Sequence, residues 1–286
     1  MPWTLTGDFE AYAERTVELL LSSPAEHTVP LTVLETVRRG HRWSDEPMLF
    51  GWFEDGGAVR GAIFRTPPFE LLLAVLPEDA TAELVTVLRA AGADVPGVNG
   101  DVAGAERFTA AWTAVTGERA TTTLALDLYE LGTLRHPEPP PAGRARAADD
   151  ADLERAVRWY TAFQQETPAP VTDVLPLVRE RLDDRRLWLW EDETGAPVSL
   201  AARTAAVAGV ARIAPVYTPP EHRRRGYATA VTAACTADAL ARDGERVVLY
   251  TDLADPSANA MYQRIGFRSA GGRRVVRFER TSTAAG

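Results

Sequence analysis

Tyr217-Thr218-Pro219-Pro220-Glu221-His222-Arg223-Arg224-Arg225-Gly226-Tyr227-Ala228 leads from an apolar, strand-like run into an alanine-rich helical run, with a glycine at the turn. A helix that starts directly behind such a loop leaves its first backbone N–H groups without intrahelical acceptors, and the macrodipole puts partial positive charge where they point. Gly226 has no β-carbon, so a phosphate can approach the main chain closely, and Arg223 to Arg225 add fixed cationic charge. The stretch reads as a pyrophosphate cradle carried on a strand–loop–helix unit.

Further along, Asp255-Pro256-Ser257-Ala258-Asn259-Ala260-Met261-Tyr262-Gln263-Arg264-Ile265-Gly266-Phe267 follows the apolar run Val247-Val248-Leu249-Tyr250. Pro256 suits a helix start, Gly266 suits its end, and Phe267 opens another apolar segment. Asn259 and Tyr262 stand at i, i+3 on one helix face, so both can converge on one cleft. A core tyrosine whose hydroxyl is satisfied by backbone is the other reading of Tyr262.

The spacing R-x-x-G-x-A from Arg223 to Ala228 resembles the acyl-CoA loop of the GNAT acetyltransferase superfamily, and residues 255–267 resemble the helix and return strand that close its cofactor cleft. The resemblance is specific over residues 213–267, extends over about 144–280, and is only topological before 135. It implies acetyl-CoA as co-substrate, held by the backbone at Val216, Tyr217 and Thr218, by the loop and helix start Arg223, Arg224, Arg225, Gly226, Tyr227, Ala228 and Thr229, and by Asn259. It further implies that Tyr262 protonates the departing thiolate, and that the strand ending at Tyr217 splays from its neighbour at a bulge. Pro215, which has no N–H, is compatible with that broken ladder and equally with an edge strand.

The base is harder to read. Histone-type members of the superfamily carry a glutamate on the fourth strand, whereas spacing back from Gly226 places Arg212 there; this departs from the pattern for protein-lysine acetylation. Glu166, in Gln164-Gln165-Glu166-Thr167-Pro168 between two helical stretches, is the candidate base or acceptor contact. An ordinary solvated carboxylate is the other reading, and a base relayed through water needs no dedicated residue.

The 286 residues suffice for one large or two ordinary domains, and 45% hydrophobic with 25% charged residues is ordinary for folded proteins. A net charge of -9 argues against general nucleic-acid binding, so a local arginine cluster points to a phosphorylated small ligand. The single cysteine, Cys235, excludes an intrachain disulfide and reads as a small buried helix residue; His27, His41, His136 and His222 lack metal-ligand spacing, so no metal is expected. Leu19-Leu20-Leu21 is far too short to span a membrane, and the start lacks a basic leader, which makes the cytoplasm the expected compartment.

His136-Pro137-Glu138-Pro139-Pro140-Pro141-Ala142-Gly143 reads as a semi-rigid linker, because consecutive prolines lack N–H donors and favour extended backbone. Behind it, helical spacing over 149–163 and about 174–182 is followed by strands at 187–190, 198–201 and 210–217, then by the helices that begin near Gly226 and Ser257 and the strands between and after them. Before it, strands at 49–53, 61–64 and 124–128, the stretches 69–76 and 95–98, and helices at about 80–91 and 103–115 repeat the rhythm more faintly. There Leu76-Pro77-Glu78-Asp79-Ala80-Thr81 replaces the phosphate loop with two carboxylates, Asp79 reading as a helix N-cap. An unrelated α/β domain is the alternative for this half.

The expectation is thus an α/β (α+β) protein of two GNAT-like domains, each a mixed, mostly antiparallel sheet flanked by helices. Residues 1–135 form a degenerate domain without a CoA loop, 136–143 a proline-rich linker and 144–286 the catalytic domain with a splayed strand pair. The expected activity is transfer of an acetyl or short acyl group to a primary amine by direct attack in a ternary complex. The alternative is an inactive acyl-CoA sensor or interaction protein. The expected partner is a small-molecule amine, with no nucleic acid and no membrane, and homodimer formation is left open.

Overall fold

The computed structural model describes residues 3–242 and 246–279. They form two compact units, one from residues 3–23, 33–126 and 271–279, the other from 24–32, 127–242 and 246–270.

In the first unit, Trp3–Thr6 (β1) precedes helix Phe9–Leu21 (α1), which Asp8 caps by accepting from the N–H groups of Glu10 and Ala11. The inner residues of α1, Tyr12, Ala13, Thr16 and Leu20, recur at helical spacing and are buried. Thr28–Arg38 (α2) starts in the second unit and ends in the first. Strands Leu49–Asp55 (β2), Ala58–Arg65 (β3) and Leu71–Val75 (β4) follow, then helix Thr81–Ala90 (α3), strand Gly97–Asp101 (β5), helix Val102–Thr116 (α4) and the start of Arg119–Leu131 (β6). Asp101 caps α4 through the N–H of Gly104, and Gly117 ends it at φ +70°. Trp3, Phe53, Ile63, Leu73, Leu84, Phe108 and Trp112 share one core.

Asp79 is not the expected cap. The 3-10 turn Glu78–Ala80 takes up the chain before α3, Ala80 stands at the cap position, and the Asp79 carboxylate pairs with Arg60 at 3.2 Å. A partner 19 residues away outcompetes the local backbone.

In the second unit, strand Arg144–Ala147 (β7) is followed by helices Leu153–Gln165 (α5) and Leu175–Asp183 (α6), strands Leu187–Glu191 (β8), Pro197–Arg203 (β9) and Val210–Tyr217 (β10), helix Tyr227–Arg242 (α7), strand Arg246–Asp252 (β11), helix Pro256–Arg264 (α8) and strand Phe267–Glu279 (β12). Its strand order is β6-β11-β10-β9-β8-β7. The order in the first unit is β1-β2-β3-β4-β5-β12, since β12 passes into that unit at Gly271 and pairs antiparallel with β5. The twelve strands belong to one mixed sheet, in which β4 with β5 and β10 with β11 are parallel pairs.

In the second unit one face of the sheet packs Val198, Ala211, Ile213, Val247 and Leu249 against Val231, Cys235 and Ala239 of α7, while Leu187, Leu189, Leu200 and Ala202 share a separate core with Ala156, Tyr160, Val178 and Leu182 of α5 and α6. Residues 136–143 lie within the second unit, where Ala142 C=O accepts from Trp190 Nε1 at 3.1 Å. Arg146 of β7 then grips Asp152 through Nη1 and Nη2 (2.5 and 3.0 Å) and Glu191 through Nε (2.5 Å).

Candidate functional site

β10 pairs in parallel with β11 only from Val210↔Arg246 to Ile213↔Leu249, although the two strands continue to Tyr217 and Asp252. On its other edge the register against β9 slips between Ile213 and Val216. Ala214-Pro215 occupies the slip, and Pro215 has no N–H with which to continue a ladder. The last residues of β10 therefore leave β11 and open a wedge between them.

The wedge divides the side chains. Val216 packs on the core of α7, as do Tyr227 and Ala228 at the start of that helix and Ala258 of α8; Tyr262 belongs to the same core and stacks edge-on to Phe267 at 6.2 Å. Tyr217, one residue on, faces α5, with its ring 6.4 Å from that of Trp159 and its hydroxyl 3.4 Å from Glu166 Oε1. Its carbonyl accepts from Ser199 Oγ (3.2 Å), and Ser199 Oγ is 2.7 Å from Thr218 Oγ1.

The loop behind β10 alternates backbone hands. A 3-10 turn, Pro220–His222, leads to Arg223 in extended conformation, then Arg224 at φ +64° and Gly226 at φ +83°. A β-carbon on Gly226 would meet nothing nearer than Pro141 Cβ at 3.8 Å, so its positive φ, more than crowding, calls for glycine. Ala230 N–H donates to Gly226 C=O at 3.1 Å, and the N–H groups of Tyr227, Ala228 and Thr229 precede that bond. Arg224 and Arg225 are exposed, with no ion pair to either among the described residues. Arg223 is engaged: Nε donates to Thr218 C=O (2.8 Å), Nη2 reaches both Glu166 oxygens (2.7 Å each), and the guanidinium lies over the Tyr217 ring at 5.8 Å. The Glu166 carboxylate holds Arg223 in its protonated form.

On α8, Asp255 caps the helix through Ala258 N–H and Pro256 stands in the first turn. Asn259 Nδ2 donates to Asp252 C=O (2.8 Å) and Asp255 C=O (2.6 Å), which ties down the turn between β11 and α8; its Oδ1 is buried without a partner. Burial, and secondarily the charge of Asp255, push the Tyr262 hydroxyl well above the ordinary phenol value. Cys235 is fully buried and its thiol is pushed up to about 12 by burial, which leaves it without nucleophilic character at neutral pH. Among the described residues no three His, Cys, Asp or Glu side chains cluster as metal ligands, and no helix is long and apolar enough to cross a membrane.

Residues 193–276 match the family model described as FR47-like protein. Solved structures similar to the chain over nearly its whole length include an acetyltransferase of the GNAT family from Colwellia psychrerythraea (15% identity, 98% of this chain and 100% of that one, TM-score 0.62). Another is a GCN5-related N-acetyltransferase from Sphaerobacter thermophilus (18%, 98% and 96%, TM-score 0.63), and a third a tandem GNAT protein from the clavulanic acid biosynthesis pathway (13%, 97% and 98%, TM-score 0.55). The chain has a tandem GNAT fold. A search of curated proteins gave no match.

Within the GNAT fold two groups of the sequence-predicted residues come together, while Arg224, Arg225, Gly226 and Thr229 line the loop between β10 and α7 and the start of that helix. Val216, Tyr227, Ala228 and Tyr262 meet on one core, with Asn259 at the same helix as Tyr262; Glu166, Tyr217, Thr218 and Arg223 meet on the other side of β10. Trp159, Tyr160, Arg181 and Ser199 also border the end of β10 and were not singled out from sequence. Arg181 had a legible signal: Val178, Arg181 and Leu182 stand at i, i+3, i+4, which puts an arginine on the apolar face of α6.

The donor set fits a CoA-type ligand. N–H groups at the start of α7, two arginines without ion pairs and an unpartnered amide oxygen on Asn259 supply contacts for phosphates and for an amide N–H.

Proposed function

We propose that the second unit transfers an acetyl or other short acyl group from acyl-CoA to a primary amine, by direct attack within a ternary complex. The observation that carries this reading is the parting of β10 from β11 after Ile213, directly before a loop whose glycine opens onto the start of α7. The GNAT acetyltransferases of the same fold supply the reaction class. Direct attack needs no covalent acyl-enzyme, and Cys235, buried and protonated, is not available to form one.

Acetyl-CoA supplies the activated thioester. Arg223 to Arg225, Gly226 and the N–H groups of Tyr227, Ala228 and Thr229 hold its phosphates, Asn259 Oδ1 accepts from its amide arm, and Val216 main chain offers an N–H to its carbonyl. Tyr262 stays protonated through the working pH range, because burial disfavours the phenolate. It donates a hydrogen bond to the leaving sulfur. Complete proton transfer from a phenol held above about 10 to a thiolate whose acid titrates near 8.5 is uphill, so hydrogen-bond donation, more than proton delivery, is its part. Glu166 takes the acceptor side, as base or as anionic contact for the amine, and either task requires that it share or release Arg223. Along the sequence we read 1–135 as the degenerate repeat, without a phosphate loop, serving packing, acceptor recognition or assembly, 136–143 as the linker and 144–286 as the catalytic repeat; the compact units cut across these bounds, since 24–32 and 127–143 fall in the second unit and 271–279 in the first. A small-molecule amine in the cytoplasm is the partner.

The test is a panel of amines, antibiotics, polyamines, amino acids and peptides assayed for acetyl-CoA-dependent thiol release. Release with at least one acceptor, abolished by Gly226→Glu, supports the enzyme; binding of acetyl-CoA with no release across the panel supports the sensor.

A further inference from the structure

Arg181 of α6 is only 6% exposed, and no carboxylate pairs with it among the described residues. Both its hydrogen bonds leave from Nη1, one to the Tyr160 hydroxyl at 2.6 Å and one, shorter, to the main-chain carbonyl of Ala214. Its Cζ lies 5.5 Å from the centre of the Tyr160 ring, and its Nε is buried without a partner. Taking a guanidinium out of water costs several kcal/mol, which an anion usually offsets. Here a phenol oxygen, a π face and one peptide oxygen stand in its place.

The peptide oxygen is in a telling position. Ala214 is the first residue of β10 beyond the ladder with β11, inside the Ile213–Val216 slip against β9. A carbonyl that has left its ladder needs another donor, and Arg181 is that donor. Two residues further is Val216, whose N–H faces the substrate carbonyl in the reading above.

We propose that Arg181 is a positioning residue for acyl transfer: its hydrogen bond to Ala214 holds the β10 bulge open, and its buried positive charge polarises the thioester carbonyl beside that bulge. The role rests on the acyl-CoA reading of the site. The hydrogen bond acts through the main chain, whereas the charge acts through space in a low-dielectric interior, where it is little screened. The two contributions can be separated. Lysine keeps the charge, glutamine keeps a donor without charge, and methionine keeps neither.

The full-length protein and its Arg181→Lys, Arg181→Gln and Arg181→Met variants are to be titrated with acetyl-CoA carrying a 13C-labelled carbonyl, by calorimetry and isotope-edited infrared spectroscopy. In the wild type the carbonyl band is expected to fall on binding. Arg181→Lys retains at least about half of that shift, and Arg181→Gln and Arg181→Met lose it, while affinity stays within about threefold in all four. Should the methionine variant fail to fold, the lysine and glutamine variants decide alone. A glutamine variant with the wild-type band overturns the proposal, as does a lysine variant that behaves like glutamine. If the wild type binds acetyl-CoA but its band does not move, Arg181 has no such role; if it binds none, the acyl-CoA reading itself fails and the role falls with it.

Discussion

Both oxygens of the Glu166 carboxylate lie 2.7 Å from Nη2 of Arg223, so the acceptor-side candidate and the first arginine of the phosphate loop form one ion pair. The Arg223 and Glu166 side chains are 42% and 46% exposed, and pairs of that kind contribute at most about 1 kcal/mol. Glu166→Gln removes the charge that competes with pyrophosphate for Arg223, and acetyl-CoA is expected to bind about two- to fivefold more tightly. Arg223→Ala is expected to weaken binding about tenfold, and in that background Glu166→Gln changes nothing. A double-mutant cycle by calorimetry checks this; weaker binding by Glu166→Gln alone would mean that Glu166 holds Arg223 in its working pose.

For Tyr262, loss of one hydrogen bond to a developing thiolate costs about 10- to 10²-fold in turnover. Tyr262→Phe keeps the ring packed on Phe267 and is expected to lower kcat by that factor with acetyl-CoA affinity unchanged. The raised hydroxyl also fixes a pH behaviour: the group stays protonated from acid up to about pH 10, so the alkaline limb of the wild-type rate profile below that pH persists in the variant. Full turnover in the variant under conditions where chemistry limits the rate makes Tyr262 a packing residue.

Gly226 separates strain from charge. At φ +83° any other residue strains the turn by about 1–2 kcal/mol, yet a β-carbon has room, so Gly226→Ala is expected to lower stability while retaining most acetyl-CoA binding. Gly226→Glu adds an anion at the phosphate position and is expected to weaken binding by about 10²-fold or more. Calorimetry should also find one equivalent of acetyl-CoA per chain in the wild type; two equivalents would contradict a single cradle.

Arg146 carries a prediction about acid stability. Hydrogen bonds from Arg146 and Arg144 hold the Glu191 carboxyl below the usual range, and Arg146 does the same for Asp152 against the opposing effect of burial. Depressed carboxyls stabilise the fold fully above their unfolded values, about 3.9 to 4.3, and lose that contribution as pH falls through the lower folded values. Arg146→Met leaves the buried Asp152 carboxylate without its ion pair and Glu191 with Arg144 alone, and is expected to cost about 3 kcal/mol at pH 7 and much less near pH 3. Urea unfolding at the two pH values measures the difference; an equal cost at both would show that the ion pairs are not the source.

Features of the site set by neighbouring residues were legible in the sequence. Proline at the start of α8, glycine at the turns and the apolar periods of β8, β9 and β10 act within a few residues, and those elements stand within a few residues of where they are expected. Short or unpatterned segments escaped, among them β1 and β7, and α1 and α2 were passed over although the inner face of α1 is periodic. The pairing of Glu166 with Arg223 spans 57 positions and that of Arg60 with Asp79 spans 19; no local rule encodes either, because each depends on which strands the fold sets side by side.

The passage of β12 into the first unit bears on how the protein can be divided. A fragment ending in the proline-rich stretch at 136–143 would lack Arg273–Arg277, the residues that pair with Asp101–Gly97 of β5. Its β5 would become a bare sheet edge, with unpaired N–H and C=O groups ready to recruit a strand from another molecule. Cutting the chain at its most obvious sequence boundary would thus produce a self-associating piece, and residues 271–279 supplied as a peptide would seal it.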